Sequence, residues 1–219
     1  MVRPWRRCLV VALALLPLGL IARAASRDPR VVAVPSRPAF VRPPGSGEQR
    51  AVSGLRLPPE TLLRTQRPGR MQVELADGRS LRLGGDALLR LDREALTLQR
   101  GQIIAWVNPG SKGQGTLRIR TRVATASIEG TTVFLDVSDS EVKVFSWEGR
   151  VSVTTNAGTR VELNGGEELL YRNDRWQPSR RLSREETGRR LATSLLLNDF
   201  PAPMETMPLI RRTLEAAPR

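Results

Sequence analysis

Apolar residues recur two apart through the middle of the chain, at Val73 and Leu75, Leu81 and Leu83, Leu89 and Leu91, and Leu96 and Leu98. Asp77-Gly78, Gly84-Gly85 and Arg100-Gly101 punctuate these runs. Period-two alternation broken by glycine dipeptides predicts half-buried strands joined by tight turns. The cadence continues through residues 117–122, 128–137, 142–147, 151–154, 161–163 and 169–171. Strands at this spacing, with no long helical pattern among them, predict an all-β domain over residues 69–176. It is a sandwich, a roll or a short solenoid of short strands, because hairpin pairing and coil stacking leave the same pattern. One stretch, "TRVATASIEGTTVFLDV" (121–137), sets Glu129-Gly130 between two apolar β-type segments and raises the question of why the chain breaks there.

The pattern changes at both ends. Residues 29–59 contain seven prolines and three glycines. The segment 26–68 is therefore expected to be an extended, basic Pro/Gly-rich linker outside the core. Residues 177–219 are expected to hold one helix and a loose tail. "SREETGRRLATSLLLNDFP" opens with a capping box, Ser183 and Glu186, and ends before Pro201. Leu191, Leu195 and Leu196 would form its apolar stripe, and 209–217 offers a second short helix. At the other end, residues 1–25 combine Arg3, Arg6 and Arg7 with an apolar run from Leu9 to Ala22 and the small-residue site Ala22-Arg23-Ala24. These are the parts of a cleavable signal peptide. The run is shorter than the roughly 20 residues that span a bilayer. The expected location is periplasmic or extracellular in a bacterial envelope, with no stable membrane span after cleavage; the alternative is an uncleaved anchor.

Charge sharpens this division. The formal net charge is +13. Residues 26–70 hold nine arginines against three acids, whereas residues 71–173 balance thirteen against thirteen. A basic excess of this kind invites a nucleic-acid partner, but export and the absence of any nucleic-acid motif argue against one. An anionic envelope polymer suits exposed basic flanks better. The chain has no histidine, and its one cysteine, Cys8, lies in the expected signal peptide. This removes the commonest general base and metal ligand. Lys112 and Lys143 are the sole lysines. Asp136, Asp139 and Glu141 lack the spacing of an EF-hand loop. No catalytic residue, metal or cofactor is expected.

Two features point to binding. In "LRIRTR", Arg118, Arg120 and Arg122 alternate with Leu117, Ile119 and Thr121, which would set three guanidinium groups on one strand face. The planar fork of arginine matches carboxylate, sulfate or phosphate; the alternative is a solvated face paired with acids on a neighbouring strand. The glycines of "NPGSKGQG" (108–115) do not follow a phosphate-binding pattern and read as a loop.

Thr121, Ala124, Ile128, Gly130, Thr131, Phe134 and Val137, then Val142, Val144, Glu148, Gly149, Val151 and Val153, then Leu163, Gly166 and Glu167, follow one another in an order that resembles the FecR protein domain over 71–171. Arg122 and Glu129 depart from that pattern, standing where the family has proline and arginine. The resemblance implies a β-rich extracytoplasmic module in which Gly130, Thr131, Gly149 and Gly166 form structural turns. Members of the family act as anti-sigma regulators with a cytoplasmic arm; only Met1 to Cys8 precede the apolar run here, so the resemblance implies the module without that arm. The expectation is a non-enzymatic module for protein–protein interaction or signalling in the cell envelope, with an unknown envelope protein as partner. The alternative is a binder of peptidoglycan or acidic polysaccharide that works through its basic flanks.

Overall fold

The structure is a computed structural model that describes residues 28–76, 78–107 and 115–218. The expected signal peptide lies outside the described residues, as do Asp77 and the loop residues 108–114. The strands in order are β1 (Arg30–Ser36), β2 (Ala39–Arg42), β3 (Gln49–Arg50), β4 (Thr61–Thr65), β5 (Arg70–Glu74), β6 (Ser80–Leu91), β7 (Leu96–Trp106) and β8 (Leu117–Arg120). There follow β9 (Ala124–Ile128), β10 (Thr132–Val137), β11 (Glu141–Glu148), β12 (Arg150–Thr155), β13 (Arg160–Asn164), β14 (Glu167–Arg172), β15 (Arg175–Trp176) and β16 (Arg180–Arg181). Three helices close the chain: α1 (Arg184–Thr193), α2 (Leu195–Asn198) and α3 (Met207–Glu215). The all-β expectation holds.

The hydrogen-bond ladder is continuous, but the long hairpin β6–β7 divides it into two leaves. Residues 80–83 of β6 pair with β5, whereas residues 88–91 pair with β4. Residues 101–106 of β7 pair with β10, and Leu96 and Thr97 pair in parallel with β8. Each long strand thus changes neighbours midway. The change occurs where the β6–β7 register slips between Gly84 and Leu89. Gly85 (φ 61°), Asp86 (φ 64°) and Gly101 (φ 83°) hold left-handed backbone there. A Cβ on Gly101 would stand 2.3 Å from the Cα of Ala87, so this position requires glycine. Gly84-Gly85 and Arg100-Gly101 are therefore bulges inside strands and not the turns expected from sequence. Alternating residues still mark strands, but a glycine pair does not say whether the strand ends or bends.

Leaf A contains β1, β5, the first half of β6, the second half of β7, β10, β11 and β14, with β15 and β16 on β14. Leaf B contains β3, β2, β4, the remaining halves of β6 and β7, β8, β9, β12 and β13. Inward side chains of both leaves, among them Val73, Leu83, Ile103 and Leu135 from A and Leu63, Leu89, Ile119 and Val153 from B, form one buried aliphatic cluster. The architecture is a β-sandwich whose corner strands switch sheets through bulges.

The segment 26–68 is not a linker, and the folded domain begins well before residue 69. β1 to β4 belong to the two leaves, and Val31, Val41, Leu57 and Leu63 are fully buried. The prolines mark strand ends: Pro38 precedes β2, Pro43-Pro44 follows it, Pro58-Pro59 precedes β4 and Pro68 precedes β5. Pro35 lies inside β1, which pairs only with β5 among the named strands and has an irregular register there; an edge strand tolerates proline. Strands this short leave composition dominated by their turns. Several arginines of this segment are also engaged, Arg30 with Glu74, Arg64 with Glu48 and Arg67 with Asp86.

The C-terminal tail is not loose either. Ser183 caps α1 by accepting from the Glu186 N–H, as the capping box predicts. Ser194 then starts α2, and α3 buries Ile210. Leu196 and Leu197 are buried, but Leu195 is 57% exposed, so the expected stripe is broken at the α1–α2 step.

Candidate binding surfaces on the two leaves

The outer face of leaf B follows from strand alternation. Along β8, β9, β12 and β13, residues such as Ile119, Ala126, Val153 and Leu163 turn inward and leave only polar side chains outside. The cross-strand register arranges those in rows. Arg118, Ser127, Ser152 and Glu162 form one row, and Arg120, Thr125, Thr154 and Arg160 the next. Beside them Thr116 donates to Glu129, and Arg150 stands opposite Asn164. All these positions are exposed or half-buried. All but Arg120 and Thr125 line an open hollow of about 940 Å³ that includes Arg118, Ser127, Arg150, Ser152, Arg160 and Glu162. Arg160 pairs with Glu162 at 2.7 Å. That pairing, with the charge of Arg150 nearby, holds the Glu162 carboxyl below its ordinary range.

Arg118 and Arg120 share this face, as the alternation predicts. Arg122 does not. The strand ends at Arg120, the Thr121 hydroxyl accepts from the Ala124 N–H, and Arg122 turns to donate to the Ser138 carbonyl with its guanidinium 5.5 Å from the Tyr171 ring centre. Arg150 and Arg160 replace it on the polar face. The alternation in "RVSVTT" places Arg150 with Ser152 and Thr154 on one side of a strand, but nothing in it says that β12 lies beside β9.

The expected turns are the crossings between leaves. The chain passes from leaf B to leaf A at Gly130-Thr131, back at Gly149 and across again at Gly165-Gly166. This is why it breaks at Glu129-Gly130. Gly130, Gly149 and Gly166 have φ of 61°, 70° and 84°, conformations that favour glycine. The crossings also brace one another. The buried Thr131 hydroxyl donates to the Glu148 carbonyl, and a Cβ on Gly149 would meet Thr131 Oγ1 at 2.8 Å. Thr131 therefore bonds to the next corner and not only to its own turn.

Leaf A is covered on its outer face. Ile104, Trp106, Phe145 and Trp147 pack against Leu182, Leu196, Leu197, Met204 and Ile210 of the C-terminal segment. Arg82 is the polar centre of this contact. It is fully buried, donates to Gln72 Oε1 and to the carbonyls of Leu196, Leu197 and Ala202, and lies 4.2 Å from the Phe200 ring centre. Burial pulls its pKa down to about 10 against the opposing charge of Glu205. Glu148 is also buried, and desolvation raises its pKa against the stabilising hydrogen bonds of Thr132. The Thr132 hydroxyl lies 2.9 Å from Glu148 Oε1 and 2.7 Å from the hydroxyl of Thr206, the residue preceding α3.

A groove of about 610 Å³ remains where α1 passes into α2 over leaf A. Phe134, Phe145, Trp147 and Leu196 supply its apolar surface; Arg70, Lys143, Asp136 and Gln102 supply polar groups. Asp136 accepts from Gln102 at 2.9 Å. Glu141, paired with Arg172 and 3.1 Å from Lys143, is held below its ordinary carboxylate range by those hydrogen bonds although burial opposes them. Among the described residues no three Asp, Glu, His or Cys side chains gather as a metal-holding group.

The family model described as FecR protein matches residues 61–152. It begins with β4 and ends within β12, so it covers the first two quoted motif groups except Val153 and stops before Leu163, Gly166 and Glu167. Two crystal structures from Parabacteroides distasonis, each described as a candidate anti-sigma factor, are similar in fold. One shows 16% identity with a TM-score of 0.52, covering 63% of this chain and 64% of that chain. The other shows 19% identity with a TM-score of 0.45, covering 51% of this chain and 55% of that chain. The chain thus spans less than two thirds of either solved chain. No curated protein matches it. Among the described residues no helix is long and apolar enough to cross a membrane.

Proposed function

We propose that this chain, whose residues 61–152 are a FecR domain, is a non-enzymatic regulatory module of the bacterial cell envelope that binds a protein partner in the groove between the α1–α2 step and leaf A. The observation that carries the reading is the groove's make-up: an aromatic and aliphatic surface with a polar rim, beside Leu195, which is 57% exposed. Protein interfaces are built around apolar anchors surrounded by polar groups. The family match supports a signalling role, and the basic start with its short apolar run supports export. A partner side chain inserted against Phe134 and Leu195 would bury apolar surface that now faces water in the groove.

The test places a photo-crosslinking amino acid at Leu195 and, in a separate protein, at Val52, the other large apolar residue that is exposed among those described. The expected outcome is one defined crosslinked protein from position 195, abolished by Phe134→Glu in a variant that unfolds at the parent temperature, and no such product from position 52. Equal crosslinking from both positions, or none from either, would overturn the groove as the binding site. Protease accessibility in spheroplasts tests the compartment: digestion without lysis is expected, and protection until lysis would count against export.

A further inference from the structure

The outer face of leaf B is a second surface, and its chemistry differs from that of the groove. The two complete rows contain three arginines, two serines, two threonines and one glutamate, with no apolar side chain. A protein interface of stable affinity needs an apolar, dehydrated centre. A face made of hydroxyls, guanidinium groups and a carboxylate lacks one, and dehydrating it against a protein would strand hydrogen-bonding groups. The same face suits a partner that is itself hydroxylated and anionic. Ser127 and Ser152 are adjacent across β9 and β12 and Thr125 and Thr154 likewise, so four hydroxyls form a floor two strands wide. Arg118 and Arg120 border that floor on β8, Arg160 stands across it on β13, and Arg150 lies at its end on β12. With neighbouring strands about 4.8 Å apart, the basic borders on β8 and β13 stand roughly 14 Å apart across the hydroxyl floor.

The charges are available to a ligand. Arg118 has no ion-pair or hydrogen-bond partner among the described residues. Glu162 is engaged by Arg160, and Glu129 accepts from Thr116. Four arginines face two glutamates, so an acidic chain meets a net positive surface with forks shaped for carboxylates.

We propose that the outer face of leaf B binds a linear acidic polysaccharide of the uronate class, with the serine and threonine floor bonding sugar hydroxyls and Arg118, Arg120 and Arg150 binding carboxylates. This does not depend on the protein-binding groove, which lies on the other leaf. It also moves polymer binding from the basic N-terminal segment, whose strands are folded into both leaves, to the charge-balanced centre of the chain.

The test measures binding of the full chain to polygalacturonate, with neutral dextran and poly-L-glutamate as comparison polymers at matched length and ionic strength. Polygalacturonate is expected to bind at least tenfold more tightly than poly-L-glutamate, with no binding of dextran. The double variant Arg118→Ala/Arg150→Ala is expected to lose at least tenfold, and Ser127→Ala/Ser152→Ala several-fold. Arg211→Ala/Arg212→Ala, which removes equal charge from α3, should bind as the parent does. Poly-L-glutamate binding as tightly as polygalacturonate would reassign the face to acidic proteins and overturn the proposal. So would equal losses from the leaf B and α3 charge variants, which would mean diffuse attraction. Thermal unfolding of each variant, compared with the parent, separates lost binding from lost folding, and because all these positions are exposed or half-buried the parent melting temperature is expected throughout.

Discussion

Leaf A and leaf B share an aliphatic interior, and they differ on the side that faces away from it. Outside leaf A the strands present Ile104, Trp106, Phe145 and Trp147 to a layer of three helices, with Arg82 holding the α2 end through carbonyl contacts. Outside leaf B, strands β8, β9, β12 and β13 present serine, threonine, arginine and glutamate to water. The contrast shows how one strand grammar yields two kinds of surface. A strand buried on both faces reads as a nearly continuous apolar run, as in "VKVFSWE", where residues 144–148 are all buried; a strand buried on one face alternates strictly, as in "RVSVTT". The helical layer is an addition that leaf A's second apolar face demands. Leaf B needs no cover, and its polar face is left open to ligands.

The largest expected effect strikes what the two leaves share. Gly101→Ala forces a Cβ against the Ala87 backbone at positive φ, and is expected to destabilise by about 4 kcal/mol or prevent folding, by overpacking plus backbone strain. Chemical denaturation checks it; a parent-like midpoint would mean that the leaves are not joined through this bulge.

Arg82→Met separates the leaves. It keeps an aliphatic stem but strands three carbonyls, and should cost about 3 kcal/mol. Hydrogen exchange should accelerate in α2 and in β6 beside it while the amides of β9 and β12 stay protected. Uniform acceleration would show that the helical layer is not a separable part of leaf A.

At a crossing, Gly130→Val meets open space but must hold φ near 61°, and the expected loss is about 2 kcal/mol. Thermal unfolding unchanged by this substitution would contradict the strained corner.

Glu148 provides a pH test on leaf A. Its folded pKa is raised, so the folded state holds the proton more tightly than the unfolded chain does. Its contribution is most favourable below the ordinary glutamate pKa and is lost as pH rises through the raised value. Glu148→Gln should therefore gain stability relative to the parent as pH is raised from 4 to 8. A difference that is flat with pH would mean the carboxyl is not desolvated.

The smallest effect is expected on the open face of leaf B. Arg118→Ala should change stability by less than about 0.5 kcal/mol, because the side chain is exposed. A large loss there would mean that this face is covered.

Much of the strand content was legible because alternation is local: Leu117, Ile119 and their neighbours face inward wherever the strand lies. Gly130 and Gly149 were legible as corners because positive φ selects glycine at the residue itself. The strands of 26–68 were not, since strands of two to seven residues set among prolines carry too few apolar positions to outweigh their turns. The helix cap at Ser183 was readable from a four-residue spacing; the burial of Ile210 and Met204 was not, because it depends on an aromatic face formed by strands far away in the chain.

The same division explains the binding surfaces. Local pattern placed Arg118 and Arg120 on one side of a strand, since the side-chain period of a strand is two. It extended that row to Arg122, because alternation contains no signal for where a strand stops pairing. That Arg150, Arg160, Ser127 and Ser152 complete the face depends on the order β8, β9, β12, β13, and that order arises from crossings at Gly130 and Gly149 that send intervening strands to the other leaf. Thr125 and Thr154, 29 positions apart, become neighbours through long-range pairing, and single-strand periodicity carries no information about which strand will lie alongside.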